Sequence, residues 1–119
     1  MKIRVGIGYD SHRFVDGDGV ILGGVKVPAD KSLIGHSDAD AVCHAVTDAI
    51  LGGAGLGDIG EMFPDNEEVN RGRDSLEMLR LAVRRVREAG WAPVQGDLSV
   101  IAEEPKIGRH RERIRAKLA

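Results

Sequence analysis

The sequence predicts an α+β fold of two layers, in which a mixed β-sheet is covered on one face by helices. Two kinds of apolar periodicity and the order of the segments that carry them support this fold class. Some segments alternate and others repeat every three to four residues, in the order strand, strand, helix, helix, strand, helix. The length of 119 residues, 42% of them hydrophobic, fits a single domain over residues 1–119.

Three segments are predicted as strands. Ile3, Val5 and Ile7 alternate with other residues within residues 2–9, which is the pattern of a strand with one apolar face. After a turn at residues 16–19, residues 20–27 read as a second strand, kinked by its glycines and ended by Pro28. Residues 98–102 are predicted as the third strand.

Three segments are predicted as helices. The first covers residues 38–51, with a capping box from Ser37 to Asp40 and a glycine-rich stop at residues 52–57. A long polar loop over residues 58–73 follows. The second helix has its apolar residues between 76 and 86, begins after Asp74 or Ser75, and stops at Gly90. The last begins at Pro105, since proline favours the first position of a helix.

Composition excludes several classes of protein. The single cysteine rules out an intrachain disulfide, and no run of apolar residues is long enough for a membrane span or a leader, so we expect a cytoplasmic protein without a membrane partner. Residues 105–119 hold six Lys or Arg residues against one acid. No aromatic residue or nucleic-acid motif accompanies them, which favours a solvated basic face over nucleic-acid binding.

The residues that most suggest chemistry are Asp10, His12 and His44. Asp10 and His12 follow the first predicted strand at i and i+2, so both side chains can face one object, and His44 on the first helix is the best third ligand. Two imidazoles and one carboxylate suit a catalytic zinc site. Taken alone, Asp-x-His is more often a turn or a surface pair. Asp40, His44 and Asp48 share one helix face. Asp48 could accept the second N–H of the His44 ring, and Asp40 could equally serve only to support the helix N-terminus.

A second group of residues suggests an anion. His36 and Ser37 precede the first helix, where free backbone N–H groups favour phosphate, although Ser37 could equally be only a helix cap, and both roles can coexist. The glycines around residues 56–60 allow a ligand to approach the backbone closely. Cys43 points away from His44 on the helix and is expected to be a packing residue.

Taken together, these segments resemble the 2-C-methyl-D-erythritol 2,4-cyclodiphosphate synthase family of the non-mevalonate isoprenoid pathway. Seven segments in the family's order carry the resemblance. They are residues 6–12 (GIGYDSH), 22–25 (LGGV), 36–40 (HSDAD), 44–49 (HAVTDA), 56–60 (LGDIG), 63–65 (FPD) and 102–106 (AEEPK). The resemblance covers essentially the whole chain.

The resemblance implies a role for each matching residue. Asp10, His12 and His44 correspond to the family's zinc ligands, and His36 to its stabiliser of the transition state. The residues that correspond to the family's substrate-binding positions are Asp10, Ser11, His12, His36, Ser37, Asp58, Ile59, Gly60, Phe63, Pro64, Asp65, Asn66, Glu67, Ala102, Glu103, Glu104, Pro105 and Lys106. Glu67 stands where an Asp is common in the family.

The resemblance also implies a reaction and an assembly. The small-molecule substrate would be 4-diphosphocytidyl-2-C-methyl-D-erythritol 2-phosphate, whose 2-phosphate attacks its own β-phosphorus and expels CMP, which makes the enzyme a phosphorus-oxygen lyase. One zinc ion per subunit and a second ion, Mg²⁺ or Mn²⁺, would assist. The family forms a homotrimer with its active sites at the subunit interfaces.

The larger departure from the family's pattern lies at the C-terminal side of the chain. The family continues beyond the last helix with two more strands and a Thr-Thr-Glu stretch, which supplies the carboxylate for the second ion. That stretch is not among these 119 residues, so we expect a domain that is incomplete at its C-terminal side. The alternative is a truncated homologue that binds zinc and phosphate without catalysis.

Overall fold

The computed structural model describes residues 2–35, 38–64, 72–102 and 105–119. Within these ranges all strands precede all helices, which gives an α+β chain. The elements are β1 (Phe14–Asp16), β2 (Gly19–Leu22), β3 (Val25–Pro28), β4 (Lys31–Leu33), α1 (Ala41–Gly53), α2 (Ile59–Met62), α3 (Ser75–Glu88), a 3-10 turn (Gly108–His110) and α4 (Arg111–Leu118).

The strands form two antiparallel pairs, in place of the predicted mixed sheet. β2 pairs with β3, Val20 lying opposite Val27, and β1 pairs with β4. The prediction of one strand over residues 20–27 is wrong, because Gly23 and Gly24 turn the chain back on itself. Their φ angles of +59° and +77° are the conformation that a two-residue hairpin turn requires and that glycine adopts without strain.

Residues 2–9 and 98–102, predicted as strands, pair with no strand in the described ranges. Alternation specifies the two faces of an extended segment, but a strand also needs a hydrogen-bonded neighbour. Residues 2–9 instead lie along α1, with Gly6 and Gly8 against it: a Cβ atom at either glycine would overlap a backbone carbonyl of that helix. The opposite face exposes a row of large apolar side chains, which we call the apolar stripe: Ile3, Val5, Ile7 and Tyr9, each at least 79% exposed.

Two helices begin later than predicted. The cap of α1 is Asp40, whose carboxylate accepts a hydrogen bond from the backbone N–H of Cys43, so the helix does not begin at Asp38 under a Ser37 cap. Ser37 lies outside the described residues. In the C-terminal region, Pro105 is buried but does not start a helix, and α4 begins at Arg111 after the 3-10 turn.

The prediction for the second helix is confirmed. Asp74 caps α3, and Gly90 follows its end with a φ of +92°. α1 also ends within the predicted glycine-rich stop, at Gly53. The segment predicted as a loop after α1 contains the single turn α2, which Asp58 caps by accepting from the N–H of Glu61.

α1 is the centre of the molecule because both halves of the core pack against it. On one side Val42 joins the apolar residues of the β2–β3 hairpin and Ile114 of α4. On the other, Leu51 packs with Ala82 and Val86 of α3. Cys43 is fully buried in the core beside α3, as predicted, and burial together with the nearby Asp40 carboxylate raises the pKa of its thiol. None of the helices in the described ranges is long and apolar enough to cross a bilayer.

Candidate metal centre

The structure brings Asp10, His12 and His44 together. Asp10 Oδ2 lies 2.7 Å from His12 Nε2 and 3.4 Å from His44 Nδ1, and the two imidazole nitrogens are 3.3 Å apart. Among the described residues this is the group of His, Cys, Asp and Glu side chains with the spacing to hold a metal ion. The predicted convergence of Asp10 and His12 on one side of an extended chain is therefore confirmed, although they lie outside any strand.

Each imidazole is held so that one nitrogen is a donor elsewhere and the other faces the cluster. His12 Nδ1 donates to the carbonyl oxygen of Ile34 at 2.9 Å, and His44 Nε2 donates to Ser75 Oγ at 2.7 Å. In the neutral rings His12 Nε2 and His44 Nδ1 are then both acceptors. Together with the Asp10 carboxylate, three lone-pair-bearing atoms face one another.

Such a cluster requires a positive centre. Asp10 Oδ2 is a buried oxygen for which the described residues provide no hydrogen-bond donor of suitable geometry, and an unpaired buried carboxylate oxygen is costly. Ligands about 2.0–2.1 Å from a tetrahedral zinc ion lie roughly 3.3–3.4 Å from one another. The separations of 3.3 and 3.4 Å match that edge, and the third is shorter. The donor set and its spacing therefore fit zinc, with a fourth position left for a ligand.

The positions of the three residues follow from the packing of α1. The backbone at Gly8 passes so close to the Ala45 carbonyl that no Cβ atom would fit, and this contact brings Asp10 alongside the helix that carries His44. His12 is fixed from the other side by Ile34, the residue immediately after β4. Glycine at position 8 is thus required by close approach to the helix, in addition to any approach by a ligand.

The predicted partner of the second His44 N–H is wrong. Asp48 Oδ1 instead accepts from the backbone N–H of Ile59 at 2.7 Å, which ties α2 to α1. The His44 ring donates to Ser75, the first residue of α3, and Ser75 Oγ in turn donates to Asp38 Oδ1. The sequence contains no local signal for this contact, because Ser75 and His44 are 31 positions apart.

The electrostatics of the cluster centre on Asp10. Burial lowers the pKa of His44, but the adjacent Asp10 carboxylate and the charges of Asp38 and Asp40 together outweigh this effect, and the pKa of His44 is raised above its ordinary value of 6.5. A bound cation would displace this proton, because imidazole binds a metal in its neutral form. The site therefore has the charge of a cation-binding site even before a metal binds.

The remaining predicted site residues fall into two groups. Asp58, Ile59 and Gly60 form the start of α2, which Asp48 ties to α1, while Phe63 is buried with the Arg73 guanidinium 5.0 Å from its ring centre. The other described members are Ser11, Ala102 and Lys106, which are exposed, Pro64, which is half-buried, and Pro105, which is buried. The predicted residues that lie outside the described ranges are His36, Ser37, Asp65, Asn66, Glu67, Glu103 and Glu104.

Comparison with known proteins gives a consistent family. Residues 3–119 match the model of the YgbB family. The chain is similar to the 2-C-methyl-D-erythritol 2,4-cyclodiphosphate synthase of Gemmatimonas aurantiaca, with 58% identity over all 119 residues and 72% of the relative's length. The synthase of Chromobacterium violaceum is 54% identical over 116 residues, which are 98% of this chain and 73% of that one.

Solved structures agree with the sequence relatives. A 2C-methyl-D-erythritol-2,4-cyclodiphosphate synthase in a CDP-bound form matches with a TM-score of 0.90 at 42% identity, over 97% of this chain and 77% of that one. IspF of Plasmodium falciparum, a CDP complex, matches with a TM-score of 0.80 at 35% identity, over 98% and 70%. These relatives are lyases. The chain belongs to the YgbB family of 2-C-methyl-D-erythritol 2,4-cyclodiphosphate synthases.

Proposed function

We propose that the chain carries the zinc half of a 2-C-methyl-D-erythritol 2,4-cyclodiphosphate synthase and catalyses the family reaction. The substrate is 4-diphosphocytidyl-2-C-methyl-D-erythritol 2-phosphate, and the products are the cyclodiphosphate and CMP. The observation that carries this proposal is the cluster of Asp10, His12 and His44, whose three ligand atoms face one another, the buried oxygen of Asp10 having no hydrogen-bond donor among the described residues. Family membership supplies the substrate class.

In this proposal Asp10 Oδ2, His12 Nε2 and His44 Nδ1 hold one zinc ion. When bound, zinc supplies a Lewis acid that neutralises charge on the phosphate oxygens. The protein's own contribution is orientation. The Ile34 carbonyl and the Ser75 hydroxyl hold the two rings with their acceptor nitrogens toward the centre, so little rearrangement is needed when the cation binds.

The chemistry needs no protein nucleophile. An oxygen of the 2-phosphate attacks the β-phosphorus, the bond from that phosphorus to the CMP oxygen breaks, and CMP leaves with the electron pair. The phosphate is already anionic at neutral pH, so positioning and charge neutralisation provide most of the rate acceleration. This agrees with a site whose one nearby thiol, that of Cys43, is buried and has a raised pKa.

The roles of the other predicted site residues are proposed as well. Asp58, Ile59 and Gly60, with residues 63–67, are proposed to contact the methylerythritol part. Residues 102–106 are proposed to begin the cytidine pocket, in keeping with the CDP complexes of two solved relatives. His36 is proposed as the stabiliser of the transition state. A second ion, Mg²⁺ or Mn²⁺, is proposed to bind together with the substrate, where it would neutralise charge on the diphosphate.

A homotrimer with interfacial active sites completes the proposal. The apolar stripe supports association, because four large apolar side chains in one row, each at least 79% exposed, are more than a monomer's surface ordinarily leaves uncovered in one place. Among the described residues no strand pairs with residues 2–9, and an extended segment without a partner strand favours pairing with another segment. The expected mass is three times the 12.8 kDa of the chain.

The proposal is tested by incubating the zinc-loaded chain with the substrate and Mg²⁺ and following phosphorus resonances by NMR. We expect CMP and the cyclodiphosphate from the wild type and neither from Asp10→Ala. The matched control is Asp16→Ala, which removes an exposed carboxylate that forms a surface ion pair with Lys31. Retained turnover in Asp10→Ala would contradict the assigned centre. Zinc and phosphate binding without any CMP would favour the non-catalytic homologue.

A further inference from the structure

The hydroxyl of Ser75 occupies a position that neither the motifs nor the family's ligand set assigns. Ser75 is the first residue of α3 and is completely buried. Its Oγ lies 2.7 Å from His44 Nε2, on the side of the ring opposite the cluster. On its other side it contacts the carboxylate of Asp38, which comes shortly before α1.

The hydrogen bonds that connect His44, Ser75 and Asp38 have one consistent direction. Asp38 accepts and has no proton to give when ionised, so the Ser75 hydroxyl donates to it. The lone pairs of Ser75 Oγ then accept the N–H of His44 Nε2. With the proton on Nε2, the other nitrogen, Nδ1, carries the lone pair that faces Asp10 and His12.

Asp38 is itself held in place. Its Oδ2 accepts the backbone N–H of Ser75 at 3.0 Å, its Oδ1 accepts the backbone N–H of Asp40 at 3.1 Å, and its own N–H donates to the Arg73 carbonyl at 3.3 Å. These bonds fix the N-terminus of α3 against the N-terminus of α1. The hydroxyl that contacts His44 therefore has little freedom to move.

We propose that Ser75, oriented by Asp38, is a positioning residue that fixes the tautomer and the ring angle of His44 for metal binding. This inference rests on the proposed zinc centre. Removal of the hydrogen-bond partner on the far side of a metal-bound histidine typically weakens the metal affinity by about 10–100-fold. Ser75 does not contact the substrate in this proposal, and it acts only through His44.

The test is zinc affinity, measured by competition with a chromophoric chelator on the full chain. We expect Ser75→Ala to bind zinc about 10–100-fold more weakly than the wild type. The control is Thr47→Val, which removes another fully buried hydroxyl from α1, one that donates to the Cys43 carbonyl instead of a ligand. Its zinc affinity should stay within about threefold of the wild type, because its hydroxyl bonds a backbone carbonyl and not an imidazole of the cluster.

A double-mutant cycle separates positioning from general destabilisation. Asp38→Asn should weaken zinc binding in the wild-type background and weaken it less in Ser75→Ala, because the part of its effect that passes through the hydroxyl is then already lost. The d–d absorption of the cobalt-loaded chain should change shape in Ser75→Ala and stay unchanged in Thr47→Val. A Ser75→Ala affinity within about threefold of the wild type, or equal effects of Asp38→Asn in both backgrounds, would overturn the proposal.

Three further outcomes can be distinguished from one another. If Ser75→Ala does not fold, Asp38→Asn decides alone: an unchanged zinc affinity and cobalt spectrum overturn the proposal, and a loss supports it. If the wild type itself binds no zinc, the zinc centre of the proposed function fails, and the inference fails with it. Weak zinc binding only in the variants, with turnover in the wild type, supports both.

Discussion

Asp40 is the residue whose replacement should cost the most stability for its size. Its carboxylate is completely buried and accepts three backbone hydrogen bonds. Oδ1 accepts from the N–H of Gly23 at 2.8 Å and of Cys43 at 3.0 Å, and Oδ2 accepts from the N–H of Gly24 at 2.7 Å. One side chain thus caps α1 and holds the turn of the β2–β3 hairpin against it. Asp40→Ala removes all three bonds at once.

The magnitude follows from these three bonds. Loss of a helix cap costs about 1 kcal/mol. A hydrogen bond to a charged group contributes about 1.5–3 kcal/mol, and a buried N–H left without a partner costs a similar amount. Two such bonds hold the turn, so we take roughly 1.5 kcal/mol for each. The free energy of unfolding should therefore fall by about 4 kcal/mol in total, which is a large part of the stability of a domain this size.

Urea unfolding followed by far-ultraviolet circular dichroism measures this loss, with chelator present so that metal binding does not contribute. The matched control is Asp74→Ala, which removes the cap of α3, that is, the hydrogen bond from the N–H of Leu76 to the Asp74 carboxylate. It should cost only about 1 kcal/mol. If Asp40→Ala were no more destabilising than Asp74→Ala, the hairpin bonds would contribute nothing and the reasoning would be refuted.

Four further predictions concern the surface, the thiol and the metal. Ile7→Glu should convert the proposed trimer to monomer in sedimentation without loss of the proposed zinc binding, because the side chain lies in the apolar stripe; an unchanged sedimenting mass would exclude the stripe from the proposed interface. Gly8→Ala should lower zinc affinity at least tenfold in chelator competition, since its Cβ atom meets the backbone of α1, and unchanged affinity would argue against that close contact. Cys43 should stay unmodified by a disulfide reagent until urea unfolds the chain, because burial raises the pKa of its thiol; rapid native labelling would contradict this. The raised pKa of His44 means that its protonation stabilises the metal-free fold fully below pH 6.5 and less as pH rises through the raised value, so zinc affinity should increase over that same window; a flat profile from pH 6 to 8 would count against it.

The helices were largely predictable from the sequence and the strands were not. α3 is predicted by local signals, which are its regularly spaced apolar residues between 76 and 86, the cap Asp74 and the stop Gly90. Strand pairing depends on partners elsewhere in the chain. Residues 2–9 alternate as a strand does, yet the described structure gives them glycine contacts with a helix on one face and no covering on the other. Alternation alone could not distinguish the two cases.

The site divides in the same way. Asp10 and His12 could be paired from their i, i+2 spacing, and His44 from its place in the first helix. The hydrogen-bond partner of the other His44 nitrogen could not be predicted, because Ser75 lies in a different helix, 31 positions away. Asp48 was the plausible partner by helical spacing, but its carboxylate is taken by the Ile59 N–H. Local spacing identifies ligands that share an element, whereas their support depends on how elements pack.

The first turn of α1 contributes both to folding stability and to the proposed metal binding. The variants Asp40→Ala and Ser75→Ala should affect these two properties differently. Asp40 fixes the start of the helix, and His44 accordingly moves with that start as part of one rigid turn; a metal site tolerates displacements of only about 0.5 Å. Loss of Asp40 should therefore lower both folding stability and zinc affinity. The Ser75 hydroxyl contacts the imidazole ring of His44. Its loss should lower zinc affinity with a much smaller effect on stability, and that difference distinguishes a residue that builds the site from one that orients a ligand within it.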